Sequence, residues 1–157
     1  MQFTTVSILS ALSALAAVEA HSDTIWHVTD LNAGCRSSSD CSYLFNIVGD
    51  KSDKSDFTPG FSAQCTARTQ QLDDSPRPCT LVGSRKSGKY NVDEVNAYVS
   101  QTLSDERGSE THFDVEVKFN DGSAKYIYHA GKTQNYDDFV AAKNFDIYPI
   151  AEQGSAK

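Results

Sequence analysis

The chain has few basic residues and only one long stretch without charge. It has 14 lysines and arginines against 21 aspartates and glutamates, so its 157 residues carry a formal net charge of −7. An acidic chain without a basic stripe argues against nucleic acids and anionic membranes as partners. The apolar, uncharged run VSILSALSALAAV, residues 6–18, is too short for a stable bilayer-spanning helix. We therefore expect neither nucleic acid nor a membrane among its partners.

The uncharged run has the character of an export leader. Short side chains at Val18 and Ala20 lie three and one residues before a candidate cut, as signal peptidase requires. We expect residues 1–20 to be a secretory signal and residues 21–157 to form one extracellular domain, with a flexible tail at 151–157.

Cleavage at this point would place a histidine at the new amino terminus. The amine and ring of His21, with a second imidazole, have the donors for copper. His27 lies six residues along a predicted strand and cannot easily fold back, which leaves His112 and His129 as partners. We expect no cofactor and no metal, and copper at His21 stays as an open alternative.

No cysteine follows residue 79, and all four cysteines lie beyond the predicted leader. They are Cys35, Cys41, Cys65 and Cys79. An even number in an exported chain predicts two disulfides, with three possible connectivities. The pairs Cys35–Cys41 and Cys65–Cys79 are the most economical, since each closes a short loop rich in turn formers. A structural zinc site is disfavoured because no Cys-x-x-Cys pair is present.

Alternation of apolar and polar residues dominates the rest of the chain. The clearest case is THFDVEVKFNDGSAKYIYHA, in which a strand, an Asp-Gly turn and a returning strand follow one another. SYLFNIVG is apolar on both faces, which predicts a central strand. Residues 90–103 fit a helix or a strand, and their valine and tyrosine content favours the strand. The pattern predicts one mainly β domain, an antiparallel barrel or sandwich, with a short helix near residues 136–143.

Two further predictions concern the loops and the closing segment. NAGCRSSSDC is predicted to be a polar loop closed by the first cysteine pair, and FDIYPI a closing strand. Pro76 and Pro78 exclude a central strand in the turn that leads to Cys79.

Catalytic motifs are absent from the sequence. It has no Gly-x-Ser-x-Gly, no His-Glu-x-x-His and no glycine-rich phosphate loop. Three adjacent acidic pairs are candidates for acid–base work but fit solvated surface better: Asp73–Asp74, Asp105–Glu106 and Asp137–Asp138. We therefore expect no catalytic residues and a protein that is not an enzyme.

Tyrosine is the other candidate functional residue. Tyr90, Tyr98, Tyr126 and Tyr128 would bind a protein, a glycan or a planar phenolic ligand if they shared a surface. The alternative is that they pack within the strands, where half-buried tyrosine is common.

Three segments together resemble a known family. IWHVTDL, YLFNIVG and FSAQCTARTQQLDDSPRPC are similar to the secreted fungal β-barrel family typified by the major Alternaria allergen. The matching positions, within residues 24–80, are Trp26, Phe45-Asn46-Ile47, Cys65-Thr66-Ala67, Leu72-Asp73-Asp74 and Cys79.

The resemblance implies an exported antiparallel barrel without known catalytic residues. Members of the family act as allergens and as elicitors or effectors, which provoke or blunt plant defence by contacting host proteins or flavonoid-like ligands. Several dimerise, which implies a non-covalent homodimer here, since no unpaired amino-terminal cysteine is present. The family's late cysteine pair is missing, and Cys35 and Cys41 look like this sequence's own pair.

These observations lead to one main functional hypothesis. We expect a secreted, non-enzymatic, elicitor- or effector-like protein that acts on plant defence by binding a host protein or a small phenolic ligand. The alternative is a secreted enzyme that acts on cell-wall polysaccharide, with copper held by His21 or with hydrolytic carboxylates. A small-ligand or inhibitor module is a third possibility.

Overall fold

A computed structural model describes residues 24–37, 40–51, 58–69, 76–104 and 108–152. The predicted leader, His21, Asp73–Asp74 and Asp105–Glu106 lie outside these ranges. Within them, no helix has the length and apolar character needed to cross a bilayer.

Two antiparallel sheets make up the described fold. The first sheet has the strand order β10-β1-β2-β3-β5, and the second has the order β11-β9-β8-β7-β4, with β6 also paired to β7. The strands of the first sheet are β1 (Trp26–Ser37), β2 (Asp40–Gly49), β3 (Phe61–Arg68), β5 (Thr80–Leu81) and β10 (Phe145–Ile147). Those of the second are β4 (Arg77–Pro78), β6 (Lys86–Ser87), β7 (Tyr90–Ser104), β8 (Gly108–Asn120), β9 (Lys125–Asn135) and β11 (Ile150–Glu152). A short helix, α1 (Tyr136–Ala142), follows β9.

The core lies between the sheets. Alternate residues of each long strand point inward, so that β2 buries Tyr43, Phe45 and Ile47 while β8 buries Phe113 and its alternate neighbours. The Phe113 ring lies 5.4 Å from Tyr43 and 5.5 Å from Phe45 of the first sheet, and 4.7 Å from Phe139 of α1. Two facing sheets with an aromatic core form a β-sandwich, one of the two predicted architectures.

Both disulfides have the pairing that the local spacing favours. Cys35 is bonded to Cys41 and Cys65 to Cys79. Cys79 lies between β4 of the second sheet and β5 of the first, and its backbone N–H donates to the Val95 carbonyl. The Cys65–Cys79 bond therefore fixes the chain where it crosses from one sheet to the other.

Two local predictions were wrong. NAGCRS continues β1 instead of forming a loop, since Cys35 and Cys41 are direct cross-strand partners in a β1–β2 hairpin. FDIYPI forms two short strands in different sheets, with Tyr148 and Pro149 between them. Ala151 and Glu152, the first two residues of the tail predicted to be flexible, pair with β9 as part of β11.

The other element predictions agree with the fold. Residues 90–104 form a strand, and the Asp121–Gly122 turn joins β8 to β9. β2 is central in its sheet, but one of its faces is open: Leu44 is 41% exposed and Val48 is 36% exposed.

Candidate binding site on the outer face of the second sheet

The outer face of β7, β8 and β9 carries a group of neighbouring titratable side chains. Because Phe113, Val115 and Val117 point into the core, the alternating residues of β8 must face outward: His112, Asp114, Glu116 and Lys118. Cross-strand register then places Tyr98 and Gly131 beside Asp114, and Asn96 and His129 beside Glu116.

Glu116 is held by its neighbours. Its Oε1 atom accepts a hydrogen bond of 2.9 Å from Asn96 Nδ2 and lies 3.1 Å from Lys118 Nζ. Its Oε2 atom lies 3.7 Å from His129 Nε2. Partial burial alone would raise the pKa of Glu116, but the hydrogen bonds from Asn96 and Lys118 outweigh burial and lower it. This carboxylate is therefore ionised and already satisfied within the protein.

Asp114 is in a different situation. Its side chain is only 34% exposed, and its neighbours are two imidazoles: His129 Nδ1 lies 3.6 Å from Oδ1, and His112 Nε2 lies 4.0 Å from Oδ2. Both separations exceed the length of a hydrogen bond. Within the described part of the chain, no hydrogen bond to the Asp114 carboxylate is present. A half-buried carboxylate in this state has acceptor capacity to offer to a ligand.

A glycine opposite Asp114 leaves room at this point of the sheet. A Cβ atom at Gly131 would lie 2.9 Å from the Phe113 carbonyl oxygen and 3.4 Å from Cε1 of the His112 ring. The His112 ring therefore lies close to the place that the Cβ atom of any other residue at position 131 would occupy. Its Nδ1 atom is hydrogen-bonded to Thr133 Oγ1 at 2.7 Å, which fixes the ring in this orientation.

A small cavity opens beside Asp114. It has a volume of about 160 Å³, and we call it the Asp114 pocket: its lining residues are Pro76, Asn96, Tyr98, Asp114, Glu116 and His129. Typical small-molecule sites enclose about 300–1,000 Å³. The Asp114 pocket is therefore suited to a single side chain or a small polar group.

The arrangement gives little support to metal binding or to nucleophilic chemistry. Among the described residues, no group of three or more His, Cys, Asp or Glu side chains could hold a metal ion. Thr133, His112 and Asp114 stand in the order of a nucleophile, base and orienting carboxylate, but 4.0 Å between His112 and Asp114 is too long for the orienting hydrogen bond.

The four candidate tyrosines do not share one surface. Tyr98 lines the Asp114 pocket, whereas Tyr90 and Tyr126 pack around Phe119 at the other end of the second sheet, with ring separations of 5.7 and 5.1 Å. Tyr128 is buried and lies 5.5 Å from the same ring. Three of the four therefore contribute to packing, the alternative that the sequence left open.

Two other cavities are larger but chemically less specific. One, of about 680 Å³, lies on the outer face of the first sheet between Asn32, Thr66 and two arginines, Arg68 and Arg77, that already interact within the protein. Another, of about 440 Å³, adjoins the β8–β9 turn and is lined by both acidic and basic residues. The acidic pair Asp137–Asp138 is exposed in the first turn of α1, away from these cavities.

Comparison with known proteins identifies no relatives. No family model, no curated protein and no solved structure matches this chain. The resemblance to the fungal β-barrel family therefore stays a prediction that depends on its short motifs.

Alternation along THFDVEVKF is enough to place His112, Asp114, Glu116 and Lys118 on one face of a strand, but it does not identify them as a site. Partners in β7 and β9 complete the group, and their register cannot be read from β8 alone. The signal available in the sequence was that every outward-facing position from 112 to 118 is titratable, while every inward-facing position from 113 to 119 is apolar.

Proposed function

We propose that the protein is exported and acts outside the cell as a non-enzymatic binding protein of the elicitor or effector type, with plant defence as its target. Two disulfides are consistent with an oxidising, extracellular location. The apolar leader in the sequence supports the same location.

The observation that carries the binding role is the Asp114 pocket. Its carboxylate has acceptor capacity to spare, and the strands around it are 15, 13 and 11 residues long, paired in continuous register from Val95 to Ser104. Groups fixed on a rigid sheet lose little entropy when a partner binds. The outer face of the second sheet is therefore the proposed contact surface, with the pocket at its centre.

Infiltration of purified protein into leaves tests this function. We expect a change in defence-marker expression or tissue response at concentrations where protein that has been reduced and alkylated at all four cysteines has no effect. Absence of any response, together with unchanged plant colonisation by a strain that lacks the gene, would contradict the proposed function.

A further inference from the structure

We propose that the Asp114 pocket receives an arginine side chain from a basic partner protein. The inference rests on the proposed binding function and names the chemistry of its partner. Its starting point is the difference between two carboxylates on β8: Glu116 is satisfied by Asn96 and Lys118, whereas among the described residues Asp114 has imidazoles at 3.6 and 4.0 Å and accepts no hydrogen bond.

The best match for the Asp114 carboxylate is a cationic hydrogen-bond donor. Asp114 lies on the outer side of the sheet with a side chain that is 34% exposed, and a guanidinium group can donate two parallel N–H bonds to the two oxygens of a carboxylate. Charge favours the same choice, since the chain is acidic with a net charge of −7. A basic surface is therefore attracted before contact, and an acidic one is repelled.

The rest of the lining favours arginine over lysine. Tyr98 and Pro76 provide apolar surface beside the carboxylate, and the planar guanidinium group packs on rings while it hydrogen-bonds at its edge. A lysine ammonium is a compact, strongly hydrated charge that gains less from such walls. Asn96, whose side-chain amide donates a hydrogen bond to Glu116, also lines the pocket.

The size of the pocket and its setting favour a side chain of a protein over a free small molecule. About 160 Å³ is below the range of small-molecule sites, and the surrounding face spans three long strands. Arginine is among the residues that most often anchor protein interfaces in pockets of this kind.

The test uses blocked tripeptides and isotope-labelled protein in NMR titrations. The probes are Gly-Arg-Gly, Gly-Lys-Gly and Gly-citrulline-Gly, each capped at both ends, with guanidinium chloride as a fourth. We expect saturable shifts confined to the Asp114 pocket with the arginine peptide, weaker binding of the lysine peptide and guanidinium ion, and none with the neutral citrulline peptide.

Two variants make the test specific. Asp114→Asn keeps the shape of the side chain and removes its charge, and we expect it to weaken binding of the arginine peptide at least about fivefold. Glu110→Gln is the matched control, since Glu110 lies on the same face of β8 but outside the pocket, and it should bind like the unmodified protein. Equal affinity of the Asp114→Asn variant, or shifts spread over the whole surface, would overturn the proposal.

The outcomes separate this inference from the proposed function. If leaves respond to the protein but the arginine peptide does not bind, the arginine pocket is wrong and the binding function stands. If the peptide binds as expected but leaves and colonisation are unaffected, the pocket stands and the role in plant defence fails.

Discussion

His27 on β1 is paired across the first sheet with Asp146 of β10. Asp146 Oδ1 accepts a hydrogen bond of 2.7 Å from His27 Nδ1, and Asp50 lies 3.6 Å from the other ring nitrogen. The hydrogen bond to Asp146 raises the pKa of His27 above its usual 6.5, although burial opposes the shift. The two side chains are 40% and 48% exposed, so solvent screens the pair and its effect on stability is small.

We expect Asp146→Asn to lower the pKa of His27 towards 6.5, as measured from its ring protons by NMR. A raised pKa in the folded state contributes stability that is complete below about pH 6.5 and is lost as the pH rises through the folded pKa. The melting temperature of Asp146→Asn should therefore fall further below that of the unmodified protein at pH 5.5 than at pH 8. Asp50→Asn is the control and should move the pKa less. An unchanged pKa in Asp146→Asn would show that the pair does not form.

Variants of Tyr43 can distinguish how much its buried ring and its hydroxyl each contribute to the free energy of unfolding. The side chain is 2% exposed, and its hydroxyl is buried without a well-formed hydrogen bond in the described part of the chain. Burial raises the pKa of Tyr43 to about 12, and the nearby Thr111 hydroxyl offsets only part of this effect.

We expect Tyr43→Phe to change the free energy of unfolding by less than about 1 kcal/mol, since it removes a poorly satisfied group and keeps the ring. Tyr43→Ala should cost about 3–5 kcal/mol because it leaves a cavity beside Phe113. Urea unfolding measures both values. A large loss in Tyr43→Phe would mean that the hydroxyl makes a strong hydrogen bond after all.

At the level of the elements, the two disulfides should differ in their effect. Cys65–Cys79 spans 14 residues and joins β3 to the crossing segment, whereas Cys35–Cys41 spans 6 residues within one hairpin. In the chain-entropy account, the longer loop contributes about 3 kcal/mol and the shorter one less. We expect urea unfolding of the double alanine variants to show the larger loss for Cys65 and Cys79. A larger loss for the hairpin pair would contradict this order.

Strands could be predicted where the alternation of side chains alone determines them. They were harder to predict where pairing with a distant strand determines them. The β8–β9 hairpin follows from strict alternation around an Asp-Gly turn. In β7, a register shift between Val92 and Glu94 brings Val92 and Val95 to the same buried side, which explains why this strand also matched a helical spacing. The extension of β1 through a Gly/Ser-rich segment depends on its pairing with β2, which local composition does not reveal.

Over the whole molecule, the fold class could be predicted from the sequence, but the candidate binding site could not. A site on the outer face of a sheet is assembled from strands that are distant in sequence, here β7, β8 and β9 with Pro76. The choice between barrel and sandwich also depends on which strands stay unpaired. The described edge strands β4, β5, β10 and β11 have only two or three residues each, so each covers only a short part of the long strand that it pairs with. A homodimer stays a prediction, and the large apolar side chains that the described residues expose include Tyr148 and Ile150.

The two sheets should unfold as one unit, because Phe113 of the second sheet packs against both Tyr43 and Phe45 of the first. Phe113→Ala should cost about 3–5 kcal/mol. The only tryptophan, Trp26, lies buried in the first sheet and reports on that sheet by its fluorescence.

In a cooperative sandwich, the Phe113→Ala variant shifts the urea midpoints of Trp26 fluorescence and of far-ultraviolet circular dichroism by the same amount. Phe119→Ala is the matched variant, since the ring contacts of Phe119 described here lie within the second sheet, and it should give coincident curves too. A fluorescence midpoint that stays in place while circular dichroism shifts would show that the first sheet is stable without the second.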